Sequence, residues 1–408
     1  MQASKTHWPS ILLLIAIALG VLGLATASLA TGVASLIGLF DELTDAAGTM
    51  IQSVAFGFEA GLLLVCAWFI FQKTLDREGS ERIVQFPFSF WHLFIYLPAI
   101  LFVIGFGALI TITEIKWLAW LTLPILTIGS VCLPIGLILG VGSHGLKFGP
   151  RWKAWGTIAI SMTISPILMV TLEILILAAI VIALAIFLSL QPGLVEQLNE
   201  LVVELNQSFD EEAALTLLAP YLSKPGIIAS IFLYLSLFVP LVEELFKPLA
   251  VWLFARKMES AADGFSLGLL SGGIFALLES LNVGGNGSTA WSVIVGVRIG
   301  TSLLHITASG LMGVAIVQLF HQKRVGRFLL TYEAVVLLHG LWNACAAGTA
   351  FATLGEYIGR PQWIWNLPAA LGGFVILFGG MSLILIAANR KLVKEKAQSS
   401  GAETQSSG

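Results

Sequence analysis

The sequence predicts an all-α, polytopic transmembrane helix bundle of about ten spans, with the N- and C-termini cytoplasmic. Three observations carry that prediction. The 408 residues are 57% hydrophobic and only 11% charged, with a mean hydropathy of +0.92, whereas a soluble domain carries about 25% charged residues. Apolar windows of about 20 residues, long enough to cross a hydrocarbon core as a helix, recur ten times. Lys and Arg then alternate between loops as the positive-inside rule requires. With the N-terminus inside, 16 of the 21 basic residues fall in inner loops and tails, and Lys116, Lys224 and Arg360 fall outside. Lys247 and Arg298 lie within spans.

Composition also excludes functions. A net charge of −3 gives no basis for a nucleic-acid partner, so the lipid bilayer is the environment to reason from. Cys66, Cys132 and Cys345 sit singly in apolar stretches, with no CxxC or Cys/His spacing of a zinc site. They read as small buried hydrophobes.

In chain order, the spans are expected at about 11–32, 51–72, 92–113, 117–140, 157–189, 228–254, 264–284, 292–319, 329–350 and 367–388. Ala25-Thr26-Ala27 imitates a signal-peptide cleavage site, but the apolar run before it exceeds the usual core of about 7–15 residues. A retained first span is therefore expected. The first five spans, residues 1–190, carry only Glu59 and Glu173 as intramembrane charges, and these fit hydrogen bonding within a bundle. The fifth span is long and is expected to tilt or kink near Pro166.

Residues 191–225 form an acidic segment holding Glu196, Glu200, Glu204, Asp210, Glu211 and Glu212. Leu194, Leu198, Leu201, Val202 and Leu205, then Leu215, Leu217 and Leu218, recur near helical spacing. An amphipathic helix or helical pair over the outer face is expected, either a plain connector or a lid. The five-span region 226–390 follows, and the Ser-, Gly-, Ala- and Gln-rich tail 391–408 should be disordered.

The chemistry concentrates in the second half. Leu241–Lys247 reads L-V-E-E-L-F-K inside an apolar span. An ionisable group at bilayer depth costs about 2.5–3.5 kcal/mol on insertion scales, so such groups face a protein interior and serve function. At helical spacing Lys247 lies one turn from Glu243 and Glu244 and can offset part of that cost. Glu279, His305, His339 and Asn343 follow on the next three spans. Counting about 1.5 Å of rise per residue places all six roughly 15–22 Å from the inner surface, near the midplane.

Carboxylate, imidazole and amide together suit hydrolysis by an activated water. A desolvated glutamate is primed to accept a proton, a histidine can orient the water or protonate the leaving amine, and Asn343 can donate to an oxyanion. HExxH is absent, yet such Glu/His clusters can also hold a divalent metal such as zinc. Arg298 is placed to snorkel or to pair with Glu279. Pro240 and Pro248 should kink or open the E-E-x-x-K helix. Gly264, Gly268 and Gly272, and Gly296 and Gly300, form small-residue stripes that permit close helix approach.

In order, Glu243-Glu244-x-x-Lys247, Phe275-x-x-x-Glu279, His305 and His339-x-x-x-Asn343 resemble the PrsW family of intramembrane proteases. That family is related to the CAAX prenyl endopeptidase and bacteriocin-processing group. The resemblance covers about residues 227–350, and neither the first five spans nor the acidic segment. It implies a membrane peptidase, in the bacterial inner membrane, that cleaves a membrane-anchored protein substrate such as an anti-sigma factor. Glu243 or Glu244 would be the base and Asn343 the oxyanion donor. Glu279 departs from the wider group's histidine at the second motif, and by the resemblance His305 would supply that imidazole. Two other readings fit the same residues: a proton-coupled transporter using the midplane Glu/His/Lys cluster, and an inactive membrane scaffold. The first five spans hold no counterpart of the E-E-x-x-K helix, which counts against the inverted repeat expected of a transporter.

Overall fold

A computed structural model describes residues 8–41, 44–190, 193–207, 211–284 and 290–406. Among these, ten helical segments are long and apolar enough to cross a membrane, in the order the hydropathy predicts. The chain divides into two compact units. One comprises Met1–Pro166, Lys247–Tyr332 and Gly380–Gly408, the other Ile167–Phe246 and Glu333–Gly379.

In the first unit, α1 (Trp8–Gly38) and α2 (Ala46–Thr74) pair closely. Asp45 caps α2 by accepting the Gly48 N–H at 2.9 Å. Between the two helices the hydroxyls of Ser28 and Ser53 each donate to the other residue's carbonyl, at 2.8 and 2.7 Å. That exchange satisfies polar groups without water. Then come α3 (Leu93–Ile112), α4 (Lys116–Gly142) and α5 (Arg151–Met162). A two-residue strand β1 (Ile83–Val84) pairs antiparallel with β2 (Gly149–Pro150), a detail hydropathy does not encode. Lys73 donates to Glu81 at 2.6 Å beside this ribbon, and that hydrogen bond holds the Glu81 carboxyl below its ordinary value.

The long fifth span breaks where Pro166 requires. Proline lacks an N–H and its ring crowds the carbonyl four residues earlier, which is that of Met162. There α5 ends, and α6 (Ile164–Ser189) restarts beyond Thr163.

Two further helices complete the centre of this unit, α12 (Ala261–Gly284) and α13 (Trp291–Gln322). They are joined along the predicted glycine stripe. A Cβ on Gly264, Gly268 or Gly272 would collide with the backbone of Gly313, Ser309 or His305 respectively. Without a hydrophobic driving force in lipid, such backbone-to-backbone contact is what holds two helices together. Gly296 does not share this role, since a Cβ there would meet no described atom within 4 Å. Gly268→Val forces the two backbones apart, and overpacking of this kind costs about 1–3 kcal/mol. A clear fall in the unfolding temperature in detergent is the expected result. An unchanged unfolding temperature would contradict the contact. At the start of α13, Trp291 is fully buried against Ile51, Ile110 and Leu123, and its indole N–H donates to Thr127 at 2.7 Å.

The second unit contains most of α6 with α7 (Leu194–Gln207), α8 (Glu211–Leu222) and α9 (Pro225–Leu233). Thus a helical pair occupies the acidic segment. Glu196, Glu200 and Glu204 line an exposed face of α7 at four-residue steps, while Leu201 and Leu205 are half-buried. Asp210 and the side chains of Leu194, Leu198, Glu211 and Glu212 lie outside the described residues. Then follow α10 (Val239–Phe246) and the short α11 (Leu249–Phe254), the latter already in the first unit.

Two long helices, α14 (Val325–Leu354) and α15 (Leu367–Ser406), end the fold. In the second unit they meet through Trp342 and Phe374, edge to face at 4.6 Å. The helix of α15 continues past Lys391 to Ser406, where composition predicts disorder. Lys391–Lys396 are good helix formers, and a helix already nucleated by a span elongates at little cost.

Candidate active site

Pro240 shapes the helix that carries the tandem glutamates. It cannot donate to the Ser236 carbonyl four residues earlier, and just there the chain widens into a π-type turn, Tyr234–Phe238. The Val239 N–H bonds Tyr234 O, five residues back. The released carbonyls are met by α14. Asn343 donates its side-chain amide to Leu235 O at 2.9 Å, and the Cα of Gly340 lies so close to Ser236 O that any Cβ would overlap it. Asn343 therefore holds an opened helix, a structural task the H-x-x-x-N spacing did not reveal. Its second amide hydrogen is left for another acceptor.

On this rigid turn of α10 the glutamates face His339 of α14. Glu244 is completely buried and lies 2.8 Å from the His339 Nδ1. Glu243, 13% exposed, lies 3.8 Å from the Nε2 of the same ring. One ring is thus flanked by two carboxylates, one on each nitrogen. A single donor atom from each of the three residues falls within 4.8 Å of the others. Two carboxylates and an imidazole are a donor set that suits a divalent metal such as zinc, with a position left for water.

In the first unit a second polar cluster is built on α12 and α13. The α10 helix stops at Phe246, and Lys247 stands in the turn before Pro248, whose carbonyl accepts the Val251 and Trp252 N–H groups. The buried Lys247 ammonium lies 2.7 Å from His305 Nδ1 and 4.5 Å from the centre of the Phe275 ring. The other ring nitrogen, His305 Nε2, lies 2.7 Å from Glu279. Arg298 clasps the same carboxylate with both terminal nitrogens, at 2.5 and 3.1 Å, and its Nε donates to Ser280 at 3.1 Å. Since a lysine only donates, His305 accepts at Nδ1 and donates at Nε2 to Glu279.

Arg298 takes the second of its two expected courses and pairs with Glu279, and both it and Lys247 are tied into this cluster. The spacing held the signal: Arg298 precedes His305 by seven residues, two turns along one helix face. Beyond the glutamates that helical spacing sets one turn from Lys247, the structure shows His305 as a partner of its ammonium.

Comparison with protein families matches residues 150–381 to the description PrsW family intramembrane metalloprotease. The match takes in more than half of the chain. The chain belongs to the PrsW family. Comparisons with curated proteins and with solved structures find no match. The PrsW match reaches beyond residues 227–350, to which the resemblance was limited. It includes the fifth span, the acidic helical pair and the first part of the tenth span, so these belong to the region the PrsW family shares. Membership makes the protein an intramembrane protease, a hydrolase acting on protein within a membrane. The Glu243, Glu244 and His339 donors agree with the metalloprotease description of the PrsW family.

Proposed function

We propose that the protein hydrolyses peptide bonds of membrane-anchored protein substrates in the bacterial inner membrane, with Glu243 as the base that takes the proton of the attacking water. The observation that carries this is the His339 ring held between Glu244 at 2.8 Å and Glu243 at 3.8 Å. The closer, fully buried Glu244 fixes the ring with its proton on Nδ1, as carboxylates behind ligating histidines do. The Nε2 lone pair then points to the side where Glu243 lies. Glu243, the less buried of the two, is the one that reaches the water.

A metal would be held at His339 Nε2 with the Glu243 carboxylate beside it, and when bound would supply an acidified water and polarise the scissile carbonyl, while Glu244 orients the ring from behind. The remaining roles fall to the chain itself. The second amide hydrogen of Asn343 is offered to the oxyanion. Glu279 and His305 act as positioning residues. Their hydrogen bonds hold Lys247, and Lys247 follows α10 directly, so they set the register of Glu243 and Glu244.

The test is cleavage of a panel of single-span membrane proteins by the full chain in liposomes. Cleavage is expected to stop with a chelator, return with zinc, and fall strongly in His339→Ala. Chelator-insensitive cleavage would remove the metal from the reading and leave glutamate-activated water. Cleavage undiminished in His339→Ala would overturn the assignment.

A further inference from the structure

Where the C-terminal part of α13, the start of α14 and α15 come together lies a cavity of about 370 Å³ that the reaction does not use. Its volume falls within the range of about 300–1,000 Å³ typical of small-ligand pockets. The floor is apolar, made by Leu311 and Val314 of α13 and Leu392 of α15. The rim is basic: Arg324 and Arg327 from the start of α14, and Lys391 from α15. Glu395 is the one carboxylate on the rim, 3.9 Å from Lys391, so the rim keeps an excess of positive charge.

Two more features point to an anion carrying a hydrogen-bond donor. Lys323 takes a left-handed conformation, φ 52°, so the chain reverses sharply and α14 starts at Val325 beside the cavity. In the first turn of that 30-residue helix the Val325 and Phe328 N–H groups bond Lys323 O and Arg324 O, and those of Gly326 and Arg327 have no intrahelical acceptor at the positive end of the dipole. Inside, the Gln318 amide oxygen is buried with no hydrogen-bond partner among the described residues, and Gln318 lines the cavity. A buried acceptor left without a donor is costly.

We propose that this cavity binds the phosphodiester headgroup of an anionic phospholipid. The phosphate sits among Arg324, Arg327 and Lys391, a headgroup hydroxyl donates to Gln318, and the acyl chains lie on the apolar floor. Exposed cations hold a free anion weakly because salt screens them, while an acyl chain on the Leu311 and Leu392 side adds burial that a free phosphate lacks. Basic pockets between spans are a general means of recognising lipid headgroups. By charge bias these loops also belong to the cytoplasmic leaflet, where anionic lipid gathers.

The test uses the full chain in neutral detergent, titrated separately with phosphatidylglycerol, phosphatidylcholine and inorganic phosphate, with bound lipid read by native mass spectrometry. The variant is Arg324→Gln/Arg327→Gln/Lys391→Gln. The control removes three cations elsewhere, Arg77→Gln/Arg82→Gln/Lys147→Gln. All six side chains are exposed, and the unfolding temperature without lipid should match wild type in both. Phosphatidylglycerol is expected to bind the wild type and the control alike, and the variant on the order of 100-fold more weakly. Inorganic phosphate binding as tightly, and lost in the same variant, keeps the phosphate site and reassigns its source to a free anion. Phosphatidylglycerol binding that is unchanged in the variant, or lost equally in the control, overturns the proposal.

Discussion

Glu243→Gln is expected to lower the rate of substrate cleavage by about 10²–10⁴-fold, the usual worth of a general base, while leaving expression and unfolding temperature near wild type. Glutamine keeps the volume and shape of glutamate but cannot take a proton. Glu244→Gln is expected to be milder, about 10–100-fold, as for other residues that orient a ligating histidine. It retains an acceptor for the His339 Nδ1 proton at the 2.8 Å contact and loses only charge. The difference follows from geometry. Glu244 is sealed against the ring, while Glu243 stands further off and keeps some exposure. Initial rates on a reconstituted single-span substrate, with thermal unfolding as the folding control, decide the matter. If Glu244→Gln proved the dead variant and Glu243→Gln the active one, the two roles would exchange. Full activity in both would remove the glutamates from the chemistry.

The ten spans were legible because the bilayer imposes its own rules. A segment inside it must be apolar and helical, and basic residues mark its inner ends. The prolines were legible for the same kind of reason. Pro166, Pro240 and Pro248 each remove a donor at a known offset, and the helix breaks or widens at each one. The ionisable residues of α10, α12, α13 and α14 stood out because each is costly in lipid. What the sequence did not show was who pairs with whom. Lys247 lies one turn from Glu243 and Glu244 in sequence, but nothing in its spacing announced His305, which its ammonium meets at 2.7 Å from the turn before Pro248. Asn343 looked like an oxyanion donor on spacing alone; only the π-type turn shows that one of its hydrogens is already committed to Leu235. Gly340 gave no signal at all, because its need comes from a carbonyl released by a proline on another helix. Partnership depends on helix rotation and on local breaks, and neither follows from counting residues.

Arg298→Gln is expected to cost about 3 kcal/mol of stability, the low end for breaking a buried ion pair, because Glu279 keeps about a third of its exposure. The loss exceeds that of an ordinary surface pair, about 0–1 kcal/mol, because the guanidinium grips both carboxylate oxygens and also Ser280. Left behind, the Glu279 charge would face His305 alone. The double variant Arg298→Gln/Glu279→Gln removes that uncompensated charge and should recover part of the loss, so the cycle is expected to show a coupling of about 1–3 kcal/mol. A positioning role makes a further demand that mere stability does not. With the charge network broken, His305 loses its fixed orientation and Lys247 loses its anchor, so turnover in the double variant should fall with little change in KM even where stability has returned. Thermal unfolding of the four proteins, with kcat and KM for each, tests both parts. Additive stabilities would mean that Arg298 and Glu279 do not depend on one another, and wild-type turnover in the double variant would mean that the network holds the fold without guiding the glutamates.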